Sequence, residues 1–195
     1  MSSHFYAMLS RMKNIYRWGL MRNTRKENLS EHSLEVAFIA HALAVIRNER
    51  FSGNTDPCFV ATAAMFHDTS EIITGDMPTP IKYYNSEISS AYKQIEAVAD
   101  RRLLQMLPED MRGAFLPLYN PDGETALLIK AADKISALIK CVEETQSGNR
   151  EFTAAERATR QAISDLGLPE AQVFLDEFMQ SFSLTLDEQQ KGGNI

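Results

Sequence analysis

From Phe5 to Phe182 the apolar residues recur every three or four positions, the repeat of helices that each bury one face, and this constrains the fold more than any other feature. Residues 5 to 17 carry it in Phe5, Met8, Leu9, Met12, Ile15 and Tyr16, which predicts a helix ending near Trp18-Gly19. Leu20 to Leu29 has no period and reads as a loop. Asn28 or Ser30 then caps a long helix to about Glu49, with His32, Val36, Ile39, Leu43 and Ile46 on one stripe and Phe38, Ala42 and Val45 beside it. Asp56-Pro57, an N-cap followed by proline at the first helical position, launches a third helix through Val60, Ala63, Ala64 and His67 to about Ile73, read as the central one. Thr74 to Pro80 forms a rigid turn, because Pro78 and Pro80 fix their own backbone and restrict the residues before them.

Helical spacing continues from Ser86 to Leu107, in a short piece from Glu109 to Leu116, and from Leu127 to near Gly148 after the turn Asn120-Pro121-Asp122-Gly123. Thr153-Ala154-Ala155-Glu156 has the capping-box form and opens a helix that stops at Gly167. Pro169 starts the last, with Val173, Phe174, Phe178 and Phe182 on one face. With no strand, repeat or low-complexity tract in this reading, the expectation is an all-α bundle of about seven or eight helices.

A chain of 195 residues, 44% hydrophobic, can bury one core, so residues 1–188 are read as a single domain and 189–195 as a flexible tail. The longest apolar runs look too short for a membrane span of about 20 residues, and Met1 to Phe5 lacks a basic stretch followed by an apolar one, which predicts a cytoplasmic protein with no membrane partner. Cys58 and Cys141 lie in helical patterns without CxxC spacing and read as reduced, largely buried thiols. A net charge of -6 excludes a general binder of nucleic-acid polymers, which needs clustered Lys and Arg against phosphates. A small anion is a different matter, since Arg17, Arg22, Arg25 and Lys26 concentrate positive charge locally.

Against this background Met65-Phe66-His67-Asp68-Thr69-Ser70-Glu71 stands out for placing an imidazole and two carboxylates on what reads as a buried, Ala-rich helix. With His67 at the origin, Glu71 falls near about 40° and Asp68 near about 100° around the helix, so all three share one arc. His32 begins the buried stripe of the second helix, whereas His41, about 180° away, reads as an ordinary surface or packed histidine. Asp133 lies among Ala131, Ala132 and Ile135, where a carboxylate is costly to bury unless something pairs with it. Two imidazoles and two carboxylates form a mixed nitrogen and oxygen set suited to Mn²⁺, Co²⁺, Fe²⁺ or Zn²⁺ with open coordination positions. A His-Asp pair alone is a weak signal.

The order His32, then His67-Asp68, then Asp133 resembles the H…HD…D signature of the HD-domain phosphohydrolase superfamily. More specifically, Arg17-Trp18, the run Asn23 to Leu34, His67-Asp68 with Glu71, and Thr74-Gly75-Asp76-Met77-Pro78-Thr79-Pro80 resemble the bacterial YfbR-type 5′-deoxynucleotidases over roughly Phe5 to Glu144. The resemblance implies a homodimeric phosphatase that releases phosphate from deoxyribonucleoside 5′-monophosphates with one divalent ion, Co²⁺ or Mn²⁺ first and Zn²⁺, Fe²⁺ or Cu²⁺ after them. It implies His32, His67, Asp68 and Asp133 as metal ligands, with His32 and Asp68 also facing substrate. Glu71 is then the group that activates water, together with Asp68 and Arg17 in the catalytic set, Arg17 orienting the phosphate. Trp18 presses on the sugar against a 2′-hydroxyl, and Asp76, Met77, Pro78 and Thr79 hold the nucleoside. Arg22, Arg25 and Lys82 are secondary phosphate candidates.

Two rival readings stand beside it. An HD hydrolase of a triphosphate or signalling nucleotide needs more cation than Arg17 and the ion supply. A non-catalytic HD-like interaction domain has no use for Glu71 together with all four donors.

Overall fold

In the computed structural model, which describes residues 2–82 and 84–191, helix α1 (Phe5–Leu9) tightens into a 3-10 turn (Ser10–Asn14) and stops, short of the expected residue 17. Backbone pairing overrides the apolar period: Leu29 N–H donates to Ile15 O at 2.9 Å and Arg17 N–H to Glu27 O at 3.0 Å, around an antiparallel bridge of Tyr16 with Asn28. The bridge closes residues 18–26 into a loop. Its left-handed residue is Trp18, at φ 59°, rather than Gly19.

Helix α2 (Leu29–Phe51) begins at Asn28, whose side chain accepts from the Ser30 and Glu31 N–H groups while Glu31 reaches back to the Asn28 N–H, a complete capping box. Helix α3 (Pro57–Phe66) starts at the Asp56 cap and ends earlier than expected. Residues 67–70 wind more tightly, with Thr69 N–H on Phe66 O at 3.2 Å and Glu71 N–H on Asp68 O at 3.0 Å, before α4 (Glu71–Thr74) ends at Gly75, φ 73°. The proline segment enters the short α5 (Thr79–Lys82). There follow α6 (Ser86–Gln105), α7 (Glu109–Tyr119), α8 (Gly123–Gln146) with its Asp122 cap, α9 (Thr153–Ser164), α10 (Pro169–Glu177) and α11 (Leu186–Lys191).

The chain is all-α, and among the described residues the Tyr16 bridge is the sole β pairing. Residues 189–191 of the expected tail are the helical end of α11; 192–195 lie outside the described residues. The expected capping box at Thr153 does not form: Phe152 occupies the cap position, and Glu156 takes the Thr145 hydroxyl at 3.1 Å.

The central helix is α2 rather than α3, since α3, α8 and α10 all pack on it. Its stripe of His32, Val36, Ile39, Leu43 and Ile46 is buried as the spacing requires, Ala63 and Ala64 bring α3 close, and Leu128, Ile135, Leu138 and Ile139 come from α8. Phe38 and Val45, beside the stripe, face outward. By length and hydropathy α2 does qualify as a membrane span, against the sequence expectation, yet 56% of that window is buried inside the protein, as in a core helix. A smaller cluster of Phe5, Leu103, Leu104 and Leu107, with Phe66 and Phe115 packed on it, seats α1 against α6. Cys141 is buried but Cys58 is exposed, contrary to expectation, and both are free.

Candidate functional site

Three helices deliver the four singled-out side chains to one point. His32 comes from the first turn of α2, His67 and Asp68 from the tight turns after α3, and Asp133 from the middle of α8. His32 Nε2 lies 3.2 Å from Asp133 Oδ1 and 3.6 Å from Asp68 Oδ2, and His67 Nε2 lies 3.2 Å from Asp68 Oδ2. One donor atom from each residue falls within 4.8 Å of all the others. Arg17 Nη1 pairs with Asp68 Oδ2 at 3.2 Å and Nη2 approaches Asp133 Oδ1 at 3.7 Å.

The inward nitrogens are the informative atoms. Nε2 of His32 and of His67 are buried and lack a well-directed hydrogen bond. His67 Nδ1 lies 2.7 Å from Ala64 O, an acceptor only, so it carries the proton. His32 Nδ1 lies 3.1 Å from Ser136 Oγ, whose own proton goes to Glu35, so Oγ accepts from the ring; Glu27 Oε1 is 3.3 Å away. Protonated outward nitrogens leave Nε2 of each ring to offer a lone pair, the arrangement of metal-ligating histidines. Without a cation the carboxylates hold a proton there: burial, and then Arg17, draw the His32 pKa down, but Asp133, Asp68 and Glu27 together raise it to about 10. A divalent ion would displace that proton.

Burial works against ionised Asp68, yet His67 and His32 hold it well below the usual carboxylate range; the same opposition, won mainly by His32, leaves Asp133 at about 2. Glu71 is different. It is 3% exposed, its Oε2 has no partner, and burial followed by repulsion from Asp68 and Asp76 pushes its pKa up to about 9. Burial and Asp68 raise Asp76 too, against Arg17 and the Trp18 backbone N–H. This acid-rich pocket with two unpartnered imidazole nitrogens fits a divalent cation.

The remaining expected residues surround the cluster unevenly. Trp18 is half-buried, its indole 5.3 Å from the Phe152 ring and its Nε1–H on Glu27 Oε2 at 2.8 Å. Met77 and Pro78 are half-buried with Asp76 in the segment after α4, and Thr79 is exposed at the start of α5. Arg22 pairs with Glu151 at 2.9 Å and Lys82 with Glu96 at 2.9 Å, while Arg25 and His41 are exposed. A cavity of about 280 Å³ opens beside His67 and Asp133, walled by Phe66, Tyr119, Asp100 and Lys130.

Sequence reasoning missed Glu27, Ser136 and Glu35. Ser136 carried a usable signal, since it lies three residues after Asp133 and so on the same helix face. Glu35 carried the same signal, three residues after His32, whereas Glu27 carried none, because its contacts depend on how the 18–26 loop meets α2.

The family model described as 5′-deoxynucleotidase YfbR-like matches residues 4–182. The 5′-deoxynucleotidases of Photobacterium profundum and Vibrio cholerae are 50% and 51% identical to the chain over 189 residues, spanning 95% of it and 97% of each relative. An HD-domain phosphohydrolase from Listeria innocua superposes with a TM-score of 0.80 at 21% identity, over 96% of this chain and 92% of the other. The cyanophage S-2L HD phosphohydrolase DatZ, bound to dA and one catalytic Zn²⁺ ion, gives 0.65 at 18% identity, over 90% and 96%.

Proposed function

Since the chain belongs to the YfbR-like 5′-deoxynucleotidase family, we propose that it is a divalent-metal-dependent phosphomonoesterase that hydrolyses deoxyribonucleoside 5′-monophosphates to deoxyribonucleoside and phosphate. One observation carries this reading: four donors from three helices converge with their two imidazole Nε2 atoms unpartnered. His32, His67, Asp68 and Asp133 would hold the ion. When bound, it supplies charge stabilisation at the phosphoryl oxygens and a lowered pKa for water.

The chain's own groups do the rest. Glu71 accepts the proton of the attacking water and passes it to the ester oxygen as the phosphorus–ester oxygen bond breaks; a bound cation would offset the burial and the repulsion from Asp68 and Asp76 that otherwise keep this carboxyl protonated. Arg17, tied to Asp68 and Asp133, offers planar donors to the phosphate. Trp18 presses on the sugar where a 2′-hydroxyl would stand, Asp76 accepts from the 3′-hydroxyl, and Met77, Pro78 and Thr79 complete the nucleoside contacts. Arg22 and Lys82 are each engaged by a glutamate, which favours a monophosphate over a triphosphate.

The ion we propose is Co²⁺ or Mn²⁺, ahead of Zn²⁺, Fe²⁺ or Cu²⁺, in a cytoplasmic homodimer whose residues 1–188 form one domain. Phosphate release from paired deoxy- and ribonucleoside 5′-monophosphates, after EDTA and then with Co²⁺, Mn²⁺, Mg²⁺ or Zn²⁺ restored, tests it. Release from the deoxy substrates should vanish with EDTA and return with Co²⁺ or Mn²⁺; release indifferent to EDTA refutes the reading.

A further inference from the structure

We propose that Glu27 is the positioning residue that joins the ion site to the sugar site, an inference that rests on the phosphomonoesterase reading above. Its largely buried carboxylate touches three site residues at once. Oε2 accepts from Trp18 Nε1–H at 2.8 Å, while Oε1 lies 3.3 Å from His32 Nδ1 and 3.7 Å from Arg17 Nε. Its backbone carbonyl also accepts the Arg17 N–H at 3.0 Å. Main chain and side chain of one residue therefore grip the Arg17-Trp18 pair and the first imidazole of the cluster. Glu27 is itself fixed, because Asn28 beside it makes the bridge to Tyr16 and caps α2.

The groups facing Glu27 are an indole N–H, an imidazole Nδ1–H and a guanidinium N–H, all donors. Only an acceptor with two oxygens suits them, and an amide at this position must turn its NH₂ toward at least one. Trp18 adds a second argument. A bulky residue at φ 59° is strained and persists only where its surroundings over-determine it; its side chain is held by Glu27 at its Nε1–H and by the tilted Phe152 ring beside it. Loosening Glu27 should release the indole from its orientation and remove one of the two acceptors that fix His32, leaving Ser136 as the other.

The test compares wild type with Glu27→Gln, Glu27→Asp and Ser136→Ala. Co²⁺ binding is followed by calorimetry and by emission of Trp18, the single tryptophan of the chain, and kcat/KM is measured on deoxy- and ribonucleoside 5′-monophosphates. In Glu27→Gln, Co²⁺ affinity should fall by about tenfold, the emission of the metal-free protein should shift, and the preference for deoxyribose should narrow. Ser136→Ala should lose Co²⁺ affinity but keep the wild-type sugar preference. A folded Glu27→Gln chain with either the wild-type Co²⁺ affinity or the wild-type sugar preference overturns the proposal. Should that variant fail to fold, Glu27→Asp, which keeps the charge but withdraws it by one methylene, is judged by the same two readouts. A wild-type chain that takes up none of Co²⁺, Mn²⁺, Zn²⁺, Fe²⁺ or Cu²⁺ refutes the metal-dependent hydrolase reading, and this proposal with it, before any variant is compared.

Discussion

Glu71 and Glu144 are two glutamates almost equally removed from solvent, 3% and 1% exposed, in opposite electrostatic circumstances. Glu144 accepts from the Thr24 N–H at 2.9 Å, the Thr24 hydroxyl at 2.8 Å, the Arg25 N–H at 3.3 Å and the Asn149 amide at 2.8 Å, with Lys140 paired one turn away. Despite the cost of burial these donors, Lys140 and Asn149 first, take its pKa down to about 2. Glu71 faces other acids, has an oxygen with no partner, and is pushed the other way. A buried acid answered by donors from its own chain is a fastening. One set among further acids and unpartnered imidazoles is arranged for a cation that the chain does not encode.

The sharpest way to break this contrast is Asp68→Ala. If the acid-rich cluster exists to hold an ion, metal-dependent phosphate release should fall on the order of 10³-fold or more, with the far-ultraviolet circular dichroism of a helical protein retained. Wild type should gain about 2.7 kcal/mol of stability at a Co²⁺ concentration 100 times the dissociation constant, reversed by EDTA. The variant should show no such gain. Full activity in Asp68→Ala would put this cluster in the same structural category as the one around Glu144.

How far the two regions were legible in the sequence follows from the range of their interactions. His32, His67, Asp68 and Asp133 stood out because each interrupts an apolar helical pattern, and it was the resemblance to the H…HD…D signature that grouped them as one set of ligands. The break at Phe66 did not disturb that reading, since the tighter turns keep His67 and Asp68 near the end of the same helix. The early stop of α1 and the grip of Glu27 on three site residues were not legible. Both depend on residues 15–17 pairing with 27–29, a tertiary contact that overrides local propensity. The Glu144 fastening was hidden for the same reason: its partners at residues 24 and 25 are distant in sequence and of ordinary type.

Glu144→Ala should act on stability where Asp68→Ala acts on chemistry. It leaves Lys140, 7% exposed, without its ionic partner, only the Arg25 carbonyl still accepting from it, and strips acceptors from Thr24 and Asn149, for a loss of about 3–5 kcal/mol in urea unfolding. The fraction that remains folded should still need a divalent ion. The pH dependence has a definite sign. Because the folded-state pKa of about 2 lies below the ordinary 4.5, the contribution of ionised Glu144 is full above about pH 4.5 and is lost as pH falls through 2. Unfolding of Glu144→Gln measured across that window should show a flatter acid limb than wild type. An identical limb would mean that the donors around Glu144 do not discriminate its charged form.

Trp18 lies between the two regions, so its replacement has the smallest and most diagnostic effect. One edge of the indole donates to Glu27 beside the cluster; the ring packs at a tilt against Phe152, whose ring carries the Lys140 ammonium at 5.6 Å from its centre, and Lys140 pairs with Glu144. If the indole reads the sugar, Trp18→Ala should reduce the deoxyribose-over-ribose ratio of kcat/KM by about tenfold, the scale of one lost steric or apolar contact. Co²⁺ affinity should stay near wild type, since all four donors and Ser136 remain. A variant that melts earlier but keeps its sugar ratio would assign Trp18 to the Glu144 side, as packing for Phe152, and the left-handed backbone at residue 18 would then be a product of closing the loop rather than a means of aiming a ring at the substrate.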